Sequence, residues 1–133
     1  MSDDQSRQLP LDLARFRDSY AEMFGSMPPL PAKKFEFSAD IDPQALRLAE
    51  QLRAHAFYSD VFDAKTTQLL LFAMLLSNGS GAARHHAQAA RLAGATWEEL
   101  HKVVELAGAV TALGPLNNGG ALLQDLRTEE TKS

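Results

Sequence analysis

Apolar positions recur at helical spacing along most of this chain. Leu13, Phe16, Tyr20, Met23 and Phe24 follow Pro10 at such intervals, and Gly25 ends the run. Asp42 and Pro43 pair an N-cap with a proline at the first helical position. The helix they open is expected to reach Phe57 with Ala45, Ala49, Leu52 and Ala56 turned inward. Asp63 caps the next helix, which runs through LLLFAMLL to Asn78 and Gly79. Apolar all round and poor in β-branched residues, it reads as a buried central helix. Ser80 caps a helix from Gly81 to Ala93, closed by Gly94. Thr96 and Glu99 have capping-box spacing, and Leu100, Val103, Val104, Ala107 and Val110 behind them form one apolar face. Gly114 and Pro115 are expected to break this helix and start a last one to about Arg127, with residues 128–133 frayed. Residues 1–9 read as a loose tail. Residues 26–41, with Pro28, Pro29 and Pro31, read as a Pro-rich connection, either an ordered crossing or a linker. The expectation is an all-α bundle of about six helices in one domain spanning residues 1–133.

Composition agrees with that class. The chain has 21 Ala and 20 Leu against five Val and Ile together, the balance of a helical rather than a stranded domain. Its 133 residues can bury a core without metals or disulfides. A net charge of −4 argues against nucleic acid or an anionic membrane as a partner. With no cysteine, disulfides, thiolate metal sites and thiol catalysis are excluded. The first ten residues are polar and acidic, and the longest apolar run, Leu69 to Leu76, falls far short of the roughly 20 residues that span a bilayer. A soluble, cytoplasmic protein is expected.

The segment SGAARHHAQAARLAG, from Ser80 to Gly94, holds the candidate chemistry. At 100° per residue, Arg84, Gln88 and Arg91 share a polar face, and His86 lies nearly opposite, among Ala82, Ala89, Ala90 and Ala93. An imidazole in an alanine stripe is either a core histidine bonded to a carbonyl or a proton-transfer group with room for a ligand beside it. His85 diverges by 100°, so the adjacent pair cannot readily clasp one metal ion, and no HxxxH or HExxH spacing exists. No metal is expected. His55 and Tyr58 end a helix where a pocket could open, although a histidine there also suits the helix dipole. Lys65 is either solvated or a clamp for an anion. Asn117, in a small-residue helix, could meet a ligand or a neighbouring subunit.

The stretch from Asp63 to Leu123 resembles the carboxymuconolactone decarboxylase family, which includes the alkylhydroperoxidase D-type peroxidases. The resemblance rests on the LLLFAMLL helix, on His86 with AQAA after it and Gly94 eight residues beyond, on GATWEEL, and on Gly114 and Pro115 ahead of a small-residue helix. It implies that His86 is functional and that the bundle forms a homotrimer or homohexamer. The peroxidase branch carries a CxxC ahead of the family histidine and a glutamate upstream. Those places fall here on Gly79, Ala82 and a position near Thr67, so thiol peroxidase chemistry is absent.

The decarboxylase branch implies a cofactor-free reaction on an unsaturated lactone or carboxylic acid. The carbanion left by CO2 spreads into the substrate's conjugated carbonyl, and the protein supplies a proton donor and a charge partner. His86 would be the acid or base. Where decarboxylases tend to show a Glu-x-Trp-x-Arg-Pro-Gly-Leu-like run, this chain reads HAFYSDVF, with His55 at the acid's place and Ser59 at the arginine's. Either Lys65 or Arg84 replaces that clamp for a carboxylate, or the substrate is not the family's namesake. Residues and resemblance together give His86 and His55 as candidate catalytic residues, with His85, Arg84, Lys65, Tyr58 and Asn117 as candidates toward the substrate. The other expectation kept open is a non-catalytic, oligomeric small-molecule binder.

Overall fold

Side-chain oxygens close three helix starts in the computed structural model, which describes residues 8–133. Asp42 accepts from the Ala45 amide at 3.0 Å, and Asp63 from the Thr66 amide at 2.7 Å. Thr96 and Glu99 form the reciprocal capping box at 2.9 and 3.1 Å. The helices are α1 (Leu11–Phe24), α2 (Pro29–Ile41), α3 (Pro43–Phe57), α4 (Ala64–Ser77), α5 (Ala83–Leu92) and α6 (Trp97–Thr131). No strand occurs among the described residues, so the chain is all-α, with six helices as expected. Residues 1–7 of the expected tail lie outside the described residues.

The division into six differs from the expected one at two places. The Pro-rich connection is largely a helix, α2. Its prolines cluster at the start, where the first amides of a helix have no intrahelical partner to lose. Gly114 and Pro115 do not break the chain, and α6 runs unbroken through residues 128–131, which were expected to fray. Pro115 removes one donor, but the clash a proline imposes on the preceding residue falls on Gly114, which has no Cβ. Gly25 (φ 81°) and Gly94 (φ 99°) end α1 and α5 in the left-handed region, as their sequence positions suggested. Ser80 accepts from the Ala82 amide at 3.2 Å in the preceding turn, and α5 begins at Ala83, two residues later than expected and without a side-chain cap.

Two apolar clusters hold the bundle. Leu13, Tyr20, Phe35 and Leu46 join α1, α2 and α3, while Phe72, Ala83, Ala90, Ala95 and Leu100 join α4, α5 and α6. Helix α1 also packs on α5, which brings the two clusters together along a seam. Two inward faces differ from expectation. In α3 the buried residues are Leu46 and Glu50, whereas Ala45, Ala49, Leu52 and Ala56 are exposed. A fully buried carboxylate is tolerable there because cations and a hydroxyl meet it. In α4 only Gln68 and Phe72 are buried, and Leu70, Met74 and Leu76 face outward, so the apolar helix is half covered.

Candidate functional site

The seam between the clusters is where polar groups have been taken inside. Helix α5 presents Ala83, Ala89 and Ala90 inward, and side chains this small let α4 approach closely. His86, 6% exposed, therefore meets Gln68 of α4, with Nδ1 and Oε1 2.7 Å apart. Phe24 and Phe57 set their rings nearly perpendicular to the imidazole at centroid distances of 5.1 and 5.7 Å. An amide oxygen accepts only, so Nδ1 carries the proton and Nε2 the lone pair. Nε2 makes no hydrogen bond, yet no fully buried side-chain nitrogen or oxygen among the described residues lacks a partner. Nε2 is therefore solvent-accessible, in a residue that lines a cavity.

That cavity measures about 300 Å³. Its walls are mostly apolar: Pro28 to Pro31 from the start of α2, Phe24 and Phe57, and Gly81 and Ala82 before α5. The polar contributions come from Tyr20, Arg53, His85 and His86. Burial, then the neighbouring His85 and Arg53, press the His86 pKa down to about 4. His86 is thus a neutral imidazole at physiological pH, with a base nitrogen available. A larger cleft of about 610 Å³ between the start of α1 and α2 is lined by Arg17, Phe35 and Glu36 among others, and contains no histidine. The smaller cavity is the candidate site because it holds the group able to move a proton.

Behind the cavity wall lies a charge cluster. Glu50, fully buried, accepts from Tyr20 Oη at 2.8 Å, from Arg53 Nε at 2.9 Å and from Lys34 Nζ. Burial alone would raise the Glu50 pKa, but the hydrogen bonds from Lys34, Arg53 and Tyr20 outweigh it and hold the carboxyl below its ordinary range. Burial and the bond to Glu50 push the Tyr20 phenol above its own. Arg53 also donates through Nη2 to Ser19 Oγ at 2.5 Å and through Nη1 to Tyr58 Oη at 3.3 Å, with Cζ 3.7 Å from the Tyr20 ring centre.

The residues singled out from sequence separate into two groups. His85 and His86 share the cavity, and Tyr58 abuts it through Arg53. Lys65 is bridged to Glu99 at 3.0 Å, beside the α6 capping box, and Arg84 is exposed on the outer face of α5. His55, at the end of α3, and Asn117, on α6, are exposed and do not line the cavity. Sequence spacing missed Gln68, Glu50 and Arg53. It put the family's glutamate place near Thr67, one residue from the side chain that meets His86, and looked for a cation at Lys65 or Arg84 rather than Arg53. The usable signal was Glu50 and Arg53, an opposite-charge pair three residues apart on one turn of α3. No group of three or more His, Asp or Glu placed to hold a metal ion occurs among the described residues. No helix there is long and apolar enough to cross a membrane.

Comparison with known proteins adds one finding. The model of the carboxymuconolactone decarboxylase family matches residues 43–124, from the start of α3 into the second half of α6 and more than half of the chain. No curated protein and no solved structure matches.

Proposed function

The chain belongs to the carboxymuconolactone decarboxylase family, and we propose that it is a cofactor-independent lyase or isomerase of an unsaturated lactone or carboxylic acid, with His86 as its acid/base. The observation that carries this reading is the buried, neutral imidazole whose Nδ1 meets Gln68 Oε1 while Nε2 has no protein partner, in a residue that lines a mostly apolar cavity. A fixed tautomer gives the ring one free nitrogen, and an apolar wall strengthens any charge interaction made there. In a decarboxylation the electron pair of the breaking C–C bond moves into the conjugated carbonyl as CO2 leaves. Nε2 then passes a proton drawn from water to the carbon. In an isomerisation Nε2 takes a proton from one carbon and returns it to another, with no net change. An anionic substrate beside the ring raises the imidazole pKa and makes the protonated form accessible during turnover.

The chain is expected to work as a homotrimer or homohexamer in the cytoplasm, on a small carboxylate or lactone. The test is decarboxylation of γ-carboxymuconolactone, and of a butenolide with one γ-carboxylate, followed by ultraviolet absorbance and CO2 release. Wild type should turn over one of them, and His86→Ala should lose at least about a hundredfold, the usual weight of a general acid/base. Full turnover by His86→Ala would overturn the role of the imidazole. A second reading, a non-catalytic small-molecule binder, is favoured by Ser59 standing where decarboxylases carry arginine. Covalent change of a bound ligand on incubation would rule that reading out.

A further inference from the structure

The cavity walls and the charges behind them narrow what the site accepts. The family match begins at residue 43, so it includes Glu50, Arg53, Phe57, Gln68 and His86 but leaves out Tyr20, Phe24, Lys34 and the prolines of α2. One whole side of the cavity therefore comes from helices that the family match does not describe. Arg53 is the one permanently charged residue among those lining it. Its guanidinium has five N–H groups, of which Nε–H goes to Glu50, one Nη2–H to Ser19 and one Nη1–H to Tyr58. One N–H remains on each terminal nitrogen, enough for one carboxylate and no more.

Charge counting gives the same limit. Glu50 contributes one negative charge, and Lys34 and Arg53 one positive charge each, so the cluster keeps a single positive charge in excess. His86 adds none while neutral. One bound carboxylate brings the cluster to balance, whereas a second would meet no further permanently charged side chain among those lining the cavity.

We propose that this cavity takes a monocarboxylate, its single anionic group against Arg53 and its unsaturated apolar body between the α2 prolines and Phe24 and Phe57, and that Glu50 is the residue that excludes dicarboxylates. The proposal deepens the acid/base reading of the same site, but it concerns binding and stands or falls without turnover. A substrate with two carboxylates is then disfavoured for this chain even though its family model is shared.

Sorbate and trans,trans-muconate test this directly, since they share a six-carbon diene and differ only in a terminal methyl against a second carboxylate. Binding to the full-length protein is read by calorimetry and by the His86 ring resonances. Sorbate should bind saturably and about tenfold or more tighter than muconate, as one unbalanced charge in a half-buried setting requires. The neutral 2,4-hexadien-1-ol should bind more weakly than sorbate. Glu50→Gln removes the negative charge and should narrow or reverse the sorbate preference, with retained helicity by circular dichroism as the check on folding. Muconate binding as tightly as sorbate in wild type overturns the proposal, as does no binding by either, or equal binding of the alcohol. Sorbate binding without any turnover of lactones would sink the catalytic reading and leave this one intact; turnover of a dicarboxylate with muconate preferred would do the reverse.

Discussion

His86 reports on the balance between burial and charge at the scale of one side chain. Its folded pKa of about 4 lies below the ordinary histidine value of 6.5, so the unfolded chain binds the proton first as the pH falls. The contribution of His86 to stability is therefore constant above about pH 6.5, declines between there and pH 4, and levels off below. The full effect is at most about 3 kcal/mol. In urea titrations across that window, His86→Gln should show a flatter pH dependence than wild type. Equal slopes would mean the imidazole is not held neutral by its surroundings. His86 was legible in the sequence because a titratable ring in an alanine stripe violates the local pattern. Its partner was not, since one step along α4 is a rotation of 100°, and only the packing of two helices decides whether Thr67 or Gln68 points across.

The helices were legible where side chains cap them and less so where proline intervenes. Asp42, Asp63 and Thr96 announce their helices because their oxygens answer amides that no other group satisfies. Pro28, Pro29 and Pro31 disguised α2, and Pro115 disguised the length of α6, for the same reason: the cost of proline depends on whether its missing N–H had a partner. At 29 and 31 it had none, whereas at 115 the Thr111 carbonyl loses its donor. Replacing Pro115 by Ala should restore that bond and stabilise the protein by about 1–3 kcal/mol, read as a higher denaturant midpoint at unchanged slope. A lower midpoint would show that the proline fits a contact the helix needs. The inward face of α3 misled the periodicity because Glu50 is buried with its own counter-ions, and a buried charge pattern imitates a solvent face.

At the scale of the whole molecule, much apolar surface remains outside. Leu48 and Leu52 on α3, Leu70 and Met74 on α4, and Val110, Leu116, Leu122 and Leu123 on α6 are all exposed. Beyond Gly108 almost every residue of α6 is exposed, and that stretch contains Gly114, Pro115, Gly119 and Gly120, poor helix formers that an isolated helix would not tolerate. Self-association is the expected consequence. Light scattering at micromolar concentration should give a mass above the 14.5 kDa of one chain, and charged substitutions at Leu116 and Leu123 should lower it. A monomeric wild type would contradict this. The fold class was legible from Ala and Leu content alone, but which apolar faces meet inside one chain was not, because α3 and α4 each offer more than one.

The three prolines at the cavity wall carry a kinetic consequence. With φ fixed by their rings, Pro28, Pro29 and Pro31 have little backbone freedom to surrender when a ligand arrives. The wall behaves as a preformed mould, so association should be a single fast phase without a slow conformational step. Differences in affinity among ligands should then appear in how quickly each one leaves.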